Sequence, residues 1–176
     1  LNLRSTMPRA YSNRHVVLAE AVAGQIAGAI TNSQLYSRRL DAEAALRESE
    51  ERFRGIFEES PVGVCLVDEG SRIIEANRAF CQMLGYAEED LIGGTLADIT
   101  HPEDIGASEA LLAKTLSGEI PGYEIQERHI TKDQETIWVK VTAGAVQDST
   151  GEPVYTLGIV EDITERKSLQ EQLVQS

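Results

Sequence analysis

Cysteine is scarce: the 176-residue chain has two, Cys65 and Cys81. Each sits inside an apolar segment, far from the other in sequence. That excludes a disulfide framework or a Cys-based metal site and reads as two buried structural thiols. Histidine is almost as rare. His15 falls in a helical stretch, His101 in a turn and His129 in a strand, and none has a Ser, Cys or carboxylate at the spacing of a catalytic triad or metal site. A phosphate-cradling loop is missing too, because Gly93-Gly94 lacks a following Lys-Ser or Lys-Thr and reads as a helix stop. No catalytic residue and no metal ligand is therefore assigned, and this stretch is not expected to be an enzyme.

Positive charge is also short, with 16 Lys and Arg against 29 Asp and Glu, a formal charge of -13. Such a chain repels phosphates, so nucleic acid and an anionic membrane surface are excluded as expected partners. The acidic surface itself reads as solubility. No signal peptide is visible. The longest apolar run, residues 16–30, is interrupted by Glu20 and Gln25 and is expected to be too short to cross a bilayer. A cytoplasmic location without direct membrane contact is the expectation.

What the chain does have is long helical signal. The abrupt first ten residues contain Pro8. Ser12-Asn13 can cap a helix, and Val22, Ile26, Ala29 and Ile30 then form a stripe at i, i+4, i+7, i+8. Nothing breaks helix before Gly55, and Leu35, Leu40, Leu46, Phe53, Ile56 and Phe57 continue the apolar seam. Residues 41–59 are crowded with charge, a solvated face with i, i+4 ion pairs. A seam this long needs a partner, either the chain's own sheet or a second copy. A parallel homodimer through Leu35, Leu46 and Phe53 is expected, with the Phe53 end docked on the sheet and the Leu35 end paired.

Ser60-Pro61 ends that helix. Residues 62–68 and 72–76 read as a hairpin across Glu69-Gly70-Ser71. Asn77 is an N-cap candidate for a helix carrying Ala79, Phe80, Met83 and Leu84 on one face, and Gly85 sits where a left-handed terminal residue is wanted. A short helix at residues 88–92, a turn-rich connection through residues 96–104 and an amphipathic helix at residues 107–116 follow. Three strand-like runs then occupy residues 123–131, 136–147 and 154–163. Two strands, short helices and three strands make an α+β pattern with an antiparallel sheet.

The last strand changes within one residue into a helix. Thr164 is read as its N-cap, Glu165 places negative charge at its positive end, and Leu169 and Leu173 give the tail an apolar stripe. A core strand running without a loop into an exposed helix is a mechanical joint. Asp162 and Thr164 are the residues expected to carry it. The Asp162 carboxylate should accept N–H groups of the first helical turn or pair with Arg166 or Lys167.

Several segments carry a family likeness. Pro61-Val62-Gly63-Val64, Glu75-Ala76-Asn77-Arg78-Ala79-Phe80, Leu84-Gly85-Tyr86, Glu89-Asp90-Leu91-Ile92-Gly93 and His101-Pro102-Glu103-Asp104 come in the order seen in PAS domains. Arg128-His129-Ile130-Thr131-Lys132-Asp133, Ile137-Trp138-Val139 and Asp162-Ile163-Thr164-Glu165-Arg166-Lys167 continue it. The resemblance runs from about residue 48 to residue 167. It implies a five-stranded antiparallel sheet in order 2-1-5-4-3, short helices on one face, a long N-terminal helix and a C-terminal helix. Gln134 departs from the glycine the family commonly places there, which puts the turn's positive φ in question.

The front end resembles something else. Leu1-Asn2-Leu3-Arg4-Ser5-Thr6, Pro8-Arg9-Ala10-Tyr11-Ser12 and Ala21-Val22-Ala23-Gly24-Gln25-Ile26-Ala27 look like the last strand and helix of a GAF domain. The tail from Glu165 is similar to the helix preceding the phospho-accepting helices of sensor histidine kinases, and is also compatible with the lead-in to a diguanylate cyclase. These likenesses imply a GAF end at residues 1–34, a connecting helix or coiled coil at 35–59, a PAS domain at 60–164 and the start of an output-linking helix at 165–176.

The implied function is a sensory relay between adjacent domains of one chain, expected within a sensor histidine kinase. The alternatives are a small-molecule receptor and a plain dimerisation module. Haem-binding relatives commonly place a ligating His on the helix before the third strand, where this chain has none. Flavin-adduct relatives carry an Asn-Cys-Arg-Phe-Leu-Gln run that this chain lacks around Cys81. Haem and covalent flavin are thus not expected. A non-covalent ligand of unknown identity could sit where Ala143, Gly144, Ala145 and Gly158 leave room beneath Phe80, Leu84, Leu111 and Leu112.

Overall fold

A computed structural model of the chain describes residues 12–174. The expected GAF-like strand at residues 1–6 and the last two residues of the tail lie outside that range. The described chain divides into two compact units between Phe53 and Arg54. The first is the greater part of α1 (Asn13–Glu58), a 46-residue helix with Phe57 as its one buried residue. Arg39–Glu43, Arg47–Glu51 and Arg52–Glu48 pair along its surface at i, i+4. The seam residues Leu35, Leu46 and Phe53 are all exposed, at 57%, 60% and 50%. Two expectations change here. The helix residue that becomes buried is Phe57, one turn beyond Phe53. By length and composition α1 is also a helix that could cross a membrane, so the seam is not excluded from a bilayer by being too short. The 34/35 boundary falls inside unbroken helix.

The second unit holds a sheet of β1 (Gly63–Val67), β2 (Ile73–Ala76), β3 (Gly122–Ile130), β4 (Thr136–Gln147) and β5 (Pro153–Asp162). Its strand order is β2-β1-β5-β4-β3 and every neighbouring pair is antiparallel. Four helices, α2 (Arg78–Leu84), α3 (Glu88–Leu91), α4 (Leu96–Ile99) and α5 (Pro102–Leu116), come between β2 and β3, and α6 (Thr164–Val174) follows β5. Period-2 alternation sets the inner face: Val139, Val141 and Ala143 on β4 and Thr156, Gly158 and Val160 on β5 are buried. Phe80, Leu84, Leu91, Ile99 and Leu112 from the helices complete one core with that face. Truncating the fully buried Phe80 to Ala would remove about 3–5 kcal/mol of stability.

Asn77 organises the entry to α2. Its side-chain oxygen accepts from Phe80 N at 2.9 Å as an N-cap and from Val64 N at 2.8 Å on β1, while its amide donates to Phe57 O at 2.9 Å and Val62 O at 3.0 Å. One side chain thus ties the end of α1, the start of β1 and the first turn of α2. Gly85 closes α2 with φ +75.

Two local readings are corrected. Residues 96–99 form the short helix α4, because Thr95 and Asp98 make a reciprocal capping box. Helix α5 begins at Pro102 and not at residue 107, because the His101 ring accepts from Glu103 N and Pro is suited to the first helical position. Gln134 does adopt positive φ, +65. The β3–β4 turn keeps its left-handed residue without glycine, helped by Thr131 Oγ1 accepting from Glu135 N.

Candidate functional site

Two features of the second unit invite a functional reading: an interior cavity between the inner face of the sheet and the helices, and the β5–α6 joint.

The cavity leaves ≈ 20 Å³ for the centre of a water-sized molecule, room for one or two waters. Of the residues expected to line it, Phe80, Leu112, Ala143 and Gly158 do so. Leu84 is fully buried but belongs to the core away from the lining, and Leu111 is half-buried and also stands outside it. At Gly158 an added Cβ would come within 3.3 Å of Cys65 Sγ, so the space there is already taken by the thiol of β1. Burial pushes the Cys65 thiol up to about 12, against a smaller opposing effect of a backbone hydrogen bond with Gly158.

The sequence reading missed the cavity's polar part. On β3, Tyr123, Glu127 and His129 share one phase and face the cavity, joined by Ser108 of α5 and Thr156 of β5. Tyr123 is pushed up to about 12, first by burial and then by the nearby Glu127 and Cys65, with a hydrogen bond to Ser108 acting the other way. Glu127 and His129 are 3% and 2% exposed, and His129 Nε2 lies 2.8 Å from Glu127 Oε1. The pair's other atoms, Glu127 Oε2 and His129 Nδ1, are buried without a partner among the described residues, and so is Thr156 Oγ1. The available signal was the phase of β3. Tyr123 and Ile125 both pack against the core, and counting on by two places Glu127 and His129 inward.

At the joint, Asp162 Oδ1 accepts from Thr164 N at 2.8 Å, a contact to the first helical turn as expected. The Thr164 hydroxyl behaves differently from the N-cap reading. It accepts from Trp138 N on β4 at 3.0 Å. Thr164 is itself the first residue of α6, and the neighbouring Ile163 N donates to Trp138 O at 2.8 Å. Both backbone groups of Trp138 are therefore held by the joint. Lys167 Nζ lies 4.6 Å from the centroid of the Trp138 ring, within cation–π range. Thr164 is tied to the sheet and not to its own helix because β5 ends at Asp162 and leaves the Trp138 N–H of β4 without a strand partner beside it.

Trp138 reaches the other way as well. It faces Arg128 in the β3–β4 register, and the Arg128 guanidinium carbon lies 5.6 Å from its ring centroid. Arg128 grips the start of α5: Nε to Asp104 Oδ2 at 2.9 Å, Nη2 to Asp104 Oδ1 at 2.7 Å and Nη2 to Glu103 Oε2 at 2.8 Å. That hydrogen-bonded guanidinium holds the Asp104 carboxyl below the usual aspartate range. The backbone completes the clamp, with Arg128 N donating to Asp104 Oδ2 and His101 N donating to Arg128 O. Helix α5, β3, β4 and α6 are thereby linked through the side chains of Asp104, Arg128, Trp138 and Lys167. Among the described residues no cluster of His, Cys, Asp and Glu is placed to hold a metal ion.

Similar proteins share this architecture. The chain is 30% identical over 164 residues to the probable diguanylate cyclase DgcE of Escherichia coli, covering 93% of this chain and 15% of that protein. It is 34% identical over 131 residues to the sensor histidine kinase TmoS of Ectopseudomonas mendocina, covering 74% of this chain and 14% of that protein. The chain thus spans about one-seventh of these relatives' length. Among solved structures, a PAS domain of a Colwellia psychrerythraea protein superposes with TM-score 0.61 at 20% identity, covering 65% of this chain and 97% of that one. The PAS domain of an HTR-like protein from Haloarcula marismortui does so with TM-score 0.56 at 26% identity, covering 70% and 98%. A family profile described as PAS domain matches residues 61–165, and the chain belongs to the PAS domain family.

Proposed function

We propose that this chain is a non-catalytic relay module of a multidomain signalling protein. It passes a change in the helix-covered face of the sheet to α6 and the output domain beyond. The observation that carries the reading is the hold on Trp138. Its backbone N–H and C=O are both bonded to the joint, and its ring lies between Arg128 and Lys167 in sequence of contact. A shift of α5 pulls Arg128 through Asp104, Arg128 moves against Trp138, and Trp138 cannot move without Thr164. The output is a histidine kinase or a diguanylate cyclase, as the names of the two relatives above suggest. The assembly is a cytoplasmic parallel homodimer through α1, and the upstream neighbour is a GAF domain.

The test uses the whole chain. Arg128→Ala should raise amide hydrogen exchange in residues 165–171 by about tenfold, the equivalent of about 1.4 kcal/mol of lost local protection, while β1 and β5 stay protected. Unchanged exchange in α6 would reject this route. In the intact parent, Asp162→Ala and Thr164→Ala should then uncouple output from stimulus.

A second reading, a receptor whose cavity ligand sets the signal, is favoured by one observation: the unpartnered polar atoms of Glu127 and His129 inside the cavity. His129 adjoins Arg128, and it also bridges to Thr100 beside the α5 start, so the cavity stands next to the same route.

A further inference from the structure

Glu127 and His129 occupy inward positions on β3 where the strand pattern calls for apolar residues, and both are almost fully buried. A buried carboxylate costs free energy unless it is neutralised or its lone pairs are met. Glu127 Oε1 meets His129 Nε2; Glu127 Oε2 and His129 Nδ1 meet nothing among the described residues. No Lys or Arg lines the cavity. Opposite an ionised Glu127, which only accepts, a neutral His129 carries its proton on Nε2 and presents a lone pair at Nδ1. Both unmet atoms are then acceptors, on side chains already hydrogen-bonded to each other. Water fits a cavity of this size and meets such acceptors without neutralising the carboxylate; beside a neutral His129, a group with several N–H donors and a positive charge does both.

We infer that Glu127 and His129 form a binding site for the head group of a small primary amine, taken as its ammonium ion. An anion is repelled by Glu127. An apolar molecule leaves both acceptors unmet, and a quaternary ammonium has no N–H to give. The free space, ≈ 20 Å³ for water-sized centres, suits a head group the size of water. Phe80, Leu112 and Val141 supply apolar wall for a short alkyl substituent. The third unmet group, Thr156 Oγ1, lies two strands away on β5 and is left outside the site. The inference deepens the receptor reading and rests on it.

The experiment titrates methylammonium chloride into the 176-residue chain and follows the His129 imidazole by proton–nitrogen NMR, with sodium chloride, sodium acetate and tetramethylammonium chloride as controls. The expected result is a saturable shift of His129 Nδ1 with methylammonium alone. In Glu127→Gln, binding should weaken by at least about tenfold, as for loss of a buried charge partner. Should that variant fail to fold, the wild-type titration against the three controls decides alone. The inference is overturned if His129 does not respond, if acetate or tetramethylammonium act equally, if Glu127→Gln binds as tightly, or if Nδ1 already bears a proton in the free protein. Exchange in α6 is read in the same samples. Binding that leaves α6 unchanged supports the site while the receptor reading fails. A relay shown by Arg128→Ala with no methylammonium binding overturns the site while the relay stands.

Discussion

Asn77 shows how much a single polar side chain can hold. Each of its four hydrogen bonds serves a different backbone group, and it is fully buried. Asn77→Ala loses the cap of α2 and strands buried groups on both sides of residue 61. The combined effect should be roughly 3 kcal/mol or more, measured by urea unfolding. Asn77→Asp should recover only part of it, because a carboxylate cannot donate to Phe57 O and Val62 O. The thiols give a second test at this scale. Cys65 is buried with its thiol pushed up to about 12, while Cys81 is partly open, with burial again the main cause of its smaller rise. A thiolate-seeking reagent at neutral pH should modify Cys81 first and reach Cys65 only on unfolding. Equal rates in the folded chain would contradict this burial.

For the elements, the interest lies in how α5 and α6 are fastened to the sheet. Thr164→Val keeps the shape of the side chain and removes the acceptor for Trp138 N. About 1 kcal/mol should be lost, Thr164→Ser should restore it, and the Trp138 amide should exchange faster in the valine variant. If both variants exchange like the wild type, Thr164 is not what holds β4. The α5 clamp has a pH signature. Asp104 has a folded-state pKa below its ordinary value, through its hydrogen bonds to Arg128. A depressed carboxyl contributes stability that is fully present above the unfolded value, about 4, and is lost as pH falls through the folded one. Thermal melting from pH 6 to pH 3 should therefore show a shallower acid limb in Asp104→Asn than in the wild type.

At the scale of the molecule, α1 poses a stability problem. Between Asn13 and Phe53 its apolar side chains are exposed, and its three i, i+4 ion pairs add only about 0.2–0.5 kcal/mol each. A helix of this length with an open seam is stabilised by packing, not by propensity. The second copy proposed above would satisfy the seam with two-fold symmetry. Sedimentation at micromolar concentration should show a dimer. Leu35→Glu with Leu46→Glu should give a monomer whose sheet melts at the same temperature. A wild-type monomer would leave the seam to a different partner.

The elements that the sequence by itself determined are those written in local chemistry. Alternation set β3, β4 and β5 to within a residue or two, Asn77 and Gly85 bounded α2, the succession of strands and short helices pointed to an antiparallel α+β sheet, and the likeness of its motifs to PAS domains implied the five-stranded order. The start of α5 was less legible, because His-Pro-Glu-Asp serves equally as a turn and as a capped first helical turn. What only the tertiary structure decided are the partners of side chains distant in sequence. Thr164 reads locally as a cap, yet its hydroxyl is claimed by Trp138, 26 positions earlier. Leu84 and Leu111 have the right chemistry for a cavity wall, but helix rotation turns them elsewhere. Glu127 and His129 look like an ordinary strand until the helices close over that face of the sheet. A charged pair gains its meaning from what shuts water out, and that is a property of the assembled layers.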